Sequence, residues 1–293
     1  MIKKSENRDF TNIFVKIISL KVFGNLFFFV EDFMINSVFY KDLQPAQLLE
    51  KITNCPIAYL PIGTLEWHGR HMPLGTDMLI PETVFAKVAE IAGGVVLPPL
   101  FLAPDINQKI NGKKFAGMEI CGFEKNKPNQ LFGNCYHISE KLFYKILNGI
   151  LENLKRNGFK YLVAHGHGPS MNAFSKYKGK FQKKYGIKCF TLFDLGFTET
   201  DGIQTDHAAS NETSLVMSIN SKLVDIENLN QDEIPVAIWG KDPRTDASIE
   251  YGDKLISTNV EQVVISLKKI TENLDNSQLP KIEFSNIKSL IGK

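Results

Sequence analysis

Short apolar runs bounded by glycine or proline recur along the chain, at Pro56–Ile62, Val95–Leu100, Phe159–Ala164 and Lys188–Leu195. A continuous apolar run of this length between turn-forming residues predicts a strand buried on both faces. The segments between them have a different period. Leu142, Phe143, Ile146, Leu147, Ile150, Leu151 and Leu154 recur at helical spacing, with Ser139 placed to cap the helix and Gly158 to end it. Pro81 predicts the first residue of a second helix running to about Ala92, and Val260–Leu274 predicts a third. Strands alternating with helices predict a mostly parallel sheet covered on both faces. Ligands of such sheets bind at the carboxyl ends of the strands. Two predicted strands run straight into histidine-rich loops there: Pro56–Ile62 into Thr64–His71, and Phe159–Ala164 into His165–His167.

Composition narrows the class without naming it. The 293 residues suffice for one large domain or two small ones, and no repeat or long linker follows Met34, so one domain is expected from there. Hydrophobic residues at 43% and charged residues at 23% exclude wholesale disorder. Thirty-four Lys+Arg against thirty-two Asp+Glu leave a net charge of +2 and no polybasic run, which argues against a nucleic-acid partner. Cys55, Cys121, Cys135 and Cys189 lie far apart, as buried reduced thiols of a cytoplasmic protein would. Residues 1–33 differ from the rest: eight of the 21 phenylalanines fall in the first 40 residues. The charge-free run from Val22 to Val30 is too short to span a bilayer, so no transmembrane span is expected. It also lacks the small-residue cleavage site of a signal peptide. The favoured reading is a translation start at Met34, ahead of an added helix or membrane-surface anchor, with an ordinary packed helix as the plain alternative.

Candidate chemistry is concentrated. Five of the six histidines sit in three clusters: Glu66-Trp67-His68-Gly69-Arg70-His71 leading to Asp77, then His165-Gly166-His167-Gly168, then Asp206-His207 with Glu212 close behind. Imidazole and carboxylate without thiolate is a donor set that suits zinc, manganese or iron in hydrolytic sites. An aspartate bridging two ions, with one glutamate and two histidines completing the shells, would lower the pKa of a bridging water and polarise a carbonyl. Glu212 has a second reading, because an acidic side chain in the first turn of a helix is favourable in itself. His71 is expected to orient its loop or touch substrate, His165 to support the site from outside or lie at the surface, and His137 to be a satisfied structural histidine. Trp67 and Trp239 read equally as pocket walls or as core.

The stretch Leu60–Asp77, with Pro61, Gly63, Thr64, Glu66, His68, Gly69, His71, Pro73, Thr76 and Asp77 in order, resembles the P-x-G-S/T-x-E-Q-H-G-P-H-L-P-x-x-T-D signature of the creatininase (creatinine amidohydrolase) family. Gly166-His167-Gly168 is similar to that family's N-G-H-G-G-N turn, and Asp206–Ser214 to its H-A-G-x-x-E-T-S segment. Asp242, Pro243, Ala247, Glu250 and Gly252 resemble its late D-P-x-x-A-T-x-E-x-G segment. The likeness runs from about Met34 to Leu274, and the family's usual beginning also favours Met34 as the start.

The resemblance implies a three-layer αβα sandwich with a mostly parallel central sheet, assembled as a homohexamer. It implies two divalent metals per chain, zinc first and manganese or iron next. Glu66 and His68 would bind different ions, Asp77 would bridge them, His167 would complete the first shell and Glu212 would be a further ligand or hold the bound water. His207 would carry a proton to the leaving nitrogen, a task suited to an imidazole near neutral pH. The chain departs from the pattern at Trp67, Arg70, His165, Pro169 and Ser170. Pro169 stands where creatininase proper has a glutamate ligand, which points away from creatinine as substrate. The expected activity is hydrolysis of a non-peptide C–N bond in a cyclic amide, formamide or related small amide by a metal-bound hydroxide. The rival readings are a peptidase trimming a small modified peptide and a catalytically silent metal-binding scaffold.

Overall fold

The computed structural model describes residues 18–22, 25–29, 37–121, 128–198, 201–229 and 236–272. The chain divides into two compact units, Met1–Ser37 and Val38–Lys293. In the first, strands β1 (Ile18–Val22) and β2 (Asn25–Phe29) pair antiparallel. Over these residues the helix allowed by the sequence is replaced by a hairpin, in keeping with their aromatic and β-branched content. Met34 lies outside the described residues.

The second unit begins with helix α1 (Pro45–Asn54) and strand β3 (Ile57–Ile62), followed by α2 (Thr76–Ala92) and β4 (Val95–Val96). A small hairpin, β5 (Asn107–Ile110) and β6 (Lys113–Ala116), precedes α3 (Glu140–Arg156) and β7 (Tyr161–Gly166). Then come α4 (Gly168–Tyr185), β8 (Lys188–Thr191), α5 (Ser210–Asn220), the short α6 (Pro243–Asp246) and α7 (Ile249–Thr271). The central sheet is parallel, in the order β4-β3-β7-β8.

Alternate residues of the two middle strands feed two cores. Ile57, Tyr59, Tyr161 and Val163 pack with Val84 and Phe85 of α2, Leu215 of α5 and Val263 of α7. Ala58, Leu60, Ile62, Leu162 and Ala164 pack with Phe143, Leu147 and Leu151 of α3 and with Phe174 and Phe181 of α4. The result is a three-layer αβα sandwich, and each fully buried Leu or Phe contributes about 1.5–3 kcal/mol of transfer free energy.

Several elements differ from their sequence-based bounds. The helix expected to open at Pro81 starts at Thr76, with Pro81 inside it. A proline in the second turn removes one N–H, whose partner would have been the Asp77 carbonyl, so the helix survives and Asp77 falls in its first turn. Helix α7 begins at Ile249 rather than Val260, because Ser248 accepts a hydrogen bond from Tyr251 N and caps it early; residues 273–274 of the predicted helix lie outside the described residues. The runs Val95–Leu100 and Lys188–Leu195 form strand only over Val95–Val96 and Lys188–Thr191, the second turning into a 3₁₀ segment at Phe193–Leu195. Of the cysteines, Cys189 is buried, Cys55 half-buried and Cys135 exposed, so the expectation of buried thiols fails at Cys135. Among the described residues no helix is long and apolar enough to cross a membrane.

Candidate metal centre

Register brings the histidine-bearing loops together. Ile62 at the end of β3 pairs with Gly166 at the end of β7, and His167 N donates to the Ile62 carbonyl at 2.8 Å. Gly166 has φ +141°, and a Cβ there would collide with the Ile62 carbonyl and press on that of Asp77, so only glycine lets the two strand ends approach so closely. From this junction the loop after β3 supplies Glu66 and His68, the first turn of α2 supplies Asp77, and the residue before α4 is His167. Glu212 comes from the first turn of α5, which is fixed by Asp206 accepting from the backbone N–H of Asn211 (2.7 Å) and Glu212 (3.1 Å).

All five side chains are buried and their polar atoms converge. His68 Nε2 lies 3.5 Å from Asp77 Oδ1 and 3.5 Å from Glu212 Oε2, while His167 Nε2 lies 3.4 Å from Glu66 Oε1. Three groups each form within a 4.8 Å span, Glu66/Asp77/His167, His68/Asp77/Glu212 and Glu66/His68/His207, and Asp77 belongs to the first two. Donors about 2.1 Å from a common ion at a tetrahedral angle stand about 3.4 Å apart, so these spacings match shared coordination. The donor chemistry fits as well. His68 Nε2 and Asp77 Oδ2 are buried without a hydrogen-bond partner, which is costly unless a cation engages them. The other ring nitrogens are held from behind, His68 Nδ1 at the Glu66 carbonyl (3.2 Å) and His167 Nδ1 at Ser170 Oγ (2.8 Å).

Electrostatics tell the same story. Burial disfavours a charged His68, yet the Asp77 and Glu212 carboxylates raise its pKa to about 10. Burial likewise opposes charge on His167, but the Glu66 carboxylate lifts it to about 9. Burial pushes Glu66 up and Glu212 up to about 8, whereas at Asp77 the neighbouring His68 overcomes burial and holds the carboxyl far below its usual range. A buried site with this surplus of carboxylate demands positive charge, which protons supply here and a metal ion would supply better.

The remaining candidates separate. His207 stacks on His68 with ring centroids 4.3 Å apart, its Nε2 donates to the Trp67 carbonyl at 2.8 Å, and its Nδ1 faces Glu66 Oε1 at 3.9 Å. Burial lowers its pKa to about 3. His71 turns to Thr213 Oγ1 (2.9 Å) and His165 to the Ile203 carbonyl (3.1 Å); neither joins a donor group. Trp67 is pinned by Asn134 and by the Phe132 carbonyl, and Trp239 is largely exposed beside the strand-like pairing with His207. Glu212 sits in the first turn of α5, accepting from Ala208 N at 2.8 Å, and faces His68.

His137 is not the satisfied structural histidine expected, since both of its ring nitrogens are buried without a hydrogen bond. Sequence reasoning also missed Asp105, whose Oδ2 lies between His137 and His167, and Gln204, whose Nε2 donates to both Asp77 Oδ1 and Glu212 Oε1. Neither belongs to a histidine cluster, and Asp105 stands far from all three in sequence, so no local pattern signals them.

The sequence profile of the creatininase family, described as creatinine amidohydrolase, matches residues 41–265. A creatinine amidohydrolase of Pseudomonas putida is 36% identical over 190 residues, covering 59% of this chain and 68% of that protein. Two solved creatininase structures, a manganese form and a zinc–zinc form of a mutant, each align over 80% of this chain and 98% of theirs, at 22% identity and a TM-score of 0.59. Those two likenesses concern the fold. With the profile spanning most of the sandwich and the clustered donors drawn from its motifs, the chain belongs to the creatininase family of amidohydrolases.

Proposed function

We propose that the protein is a two-metal hydrolase of a small, non-peptide amide such as a cyclic amide or formamide. The observation that carries this reading is Asp77, a buried carboxylate shared by two donor groups and bearing an oxygen with no hydrogen-bond partner. Glu66, Asp77 and His167 would hold one divalent ion, and His68, Asp77 and Glu212 the other. Zinc, manganese or iron bound there supplies Lewis-acid polarisation of the amide carbonyl and a water of lowered pKa. The chain's own residues do the positioning. Ser170 and the Glu66 carbonyl fix the two imidazoles, and Gln204 ties Asp77 to Glu212. The Trp67 carbonyl fixes the proton of His207 on Nε2, leaving the Nδ1 lone pair facing the site. Facing the site, Nδ1 would take a proton from the attacking water and hand it to the leaving nitrogen. The same reading takes residues 34–293 as the working domain, a homohexamer as the assembly and the cytoplasm as the compartment, on the strength of the motif resemblance and the cysteine usage.

The test is metal content per chain with hydrolysis of a panel of cyclic amides and formamides. About two equivalents of metal and turnover are expected for the natural chain, and Asp77→Ala is expected to lose both. Full metal content and activity in that variant would overturn the reading.

A further inference from the structure

Asp105 lies on the segment between β4 and β5, outside every histidine-bearing motif. Its Oδ1 accepts from Ile106 N at 2.6 Å, but its Oδ2 is buried with no hydrogen-bond partner, and the side chain is only 2% exposed. That free oxygen stands 3.9 Å from His167 Nε2 and 3.6 Å from His137 Nδ1. On its other side His167 Nε2 meets Glu66 Oε1, so the nitrogen is flanked by two carboxylates from separate segments. Gly117, at φ +54°, closes the cradle: a Cβ there would collide with Asp105 Oδ2 and crowd Glu66 Oε2. The backbone also holds His137 in place, with Ile138 N donating to the Ala103 carbonyl at 2.9 Å.

We infer that Asp105 is a further carboxylate ligand of the ion position formed by Glu66, Asp77 and His167, with His137 positioning its free oxygen. The inference rests on the two-metal reading above and deepens it. Two donors each about 2.1 Å from one ion can be at most about 4.2 Å apart, so 3.9 Å from His167 Nε2 is within reach of shared coordination, and Asp105, which stands outside the 4.8 Å span of the Glu66/Asp77/His167 group, would move inward as the ion binds. A buried carboxylate oxygen without a donor is expensive to retain, and a cation at this position removes the cost. Three carboxylates and one imidazole form an oxygen-rich shell, which suits manganese better than a nitrogen- or sulfur-rich set would.

The test is calorimetric titration of the chelator-treated full chain with Mn²⁺, alongside thermal melts with and without the metal. The natural chain is expected to bind at two positions. Asp105→Asn is expected to weaken one position by about 10–100-fold or more and leave the other unchanged. Without metal this variant is expected to melt close to the natural chain, because the amide keeps the side chain's shape and its oxygen can still accept from Ile106 N. Asp105→Ser serves as the second variant, repeating the comparison without introducing an amide donor. Unchanged affinity at both positions in the two variants overturns the inference and leaves the two-metal reading standing. So does a lower melting point for metal-free Asp105→Asn that accounts for the binding loss, since that marks a structural role. If the natural chain binds no Mn²⁺ or Zn²⁺ at all, both the inference and the two-metal reading fall.

Discussion

The chain's six histidines differ in fate because of what each ring nitrogen meets. His68 and His167 have one nitrogen fixed by the protein and the other aimed at carboxylates, the arrangement required of a ligand. His71 and His165 spend a nitrogen on Thr213 and on the Ile203 carbonyl, and burial lowers the pKa of each to about 4. His207 is intermediate: it belongs to a donor group with Glu66 and His68, yet its Nε2 is committed to Trp67. Its role as proton carrier predicts that His207→Gln lowers kcat by about 10²–10⁴-fold while metal content stays at the level of the natural chain. Elemental analysis beside steady-state kinetics decides this. Loss of metal in step with activity would make His207 a ligand instead.

At the scale of elements, the late segment resembling the family motif acts through packing. Asp242 accepts from Arg244 N and caps α6, and Gly252 sits where α7 crosses α5. A Cβ on Gly252 would run into the backbone carbonyl of Ser214. In an open helix Gly→Ala is stabilising by about 1 kcal/mol. Here the helices would have to part, and overpacking of that kind costs about 1–3 kcal/mol. Gly252→Ala should therefore lower stability in chemical denaturation, and a neutral or stabilised variant would show that the crossing yields easily. Since α5 also carries Glu212, the same variant is expected to weaken metal binding at the His68 position more than at the His167 position.

For the whole molecule, the centre joins elements from both helical layers through the strand ends, so an ion bound there should stabilise the entire second unit. Ligand at 100 times its dissociation constant adds about 2.7 kcal/mol per site. At about 2–4 °C per kcal/mol for a domain of this size, saturation with Zn²⁺ or Mn²⁺ should raise the Tm by about 5–10 °C per site. Chelation should reverse the shift, and Asp77→Ala should show almost none. A natural chain whose melting is indifferent to both metals would contradict a centre buried between these elements.

What the sequence determined by itself was everything local. Continuous apolar runs marked the strands of the central sheet, and helical spacing from Leu142 to Leu154 marked α3 at its observed bounds, with Ser139 as cap. The resemblance of the short motifs around Glu66–Asp77, His167 and Glu212 marked the residues that converge. The tertiary structure decided what depends on distance in sequence. The register of β3 against β7 sets His167 beside the Glu66 loop, and the early start of α2 turns Asp77 into the site. The glycine-flanked turn singled out His167 over His165, and the fold gives each its partner, carboxylates for His167 and a backbone carbonyl for His165. Asp105 and Gln204 reach the centre from loops with no periodicity and no motif, so only the folded chain brings them there. Periodicity and capping act over one or two turns of chain, whereas a buried centre is assembled by whichever strand ends the sheet places side by side.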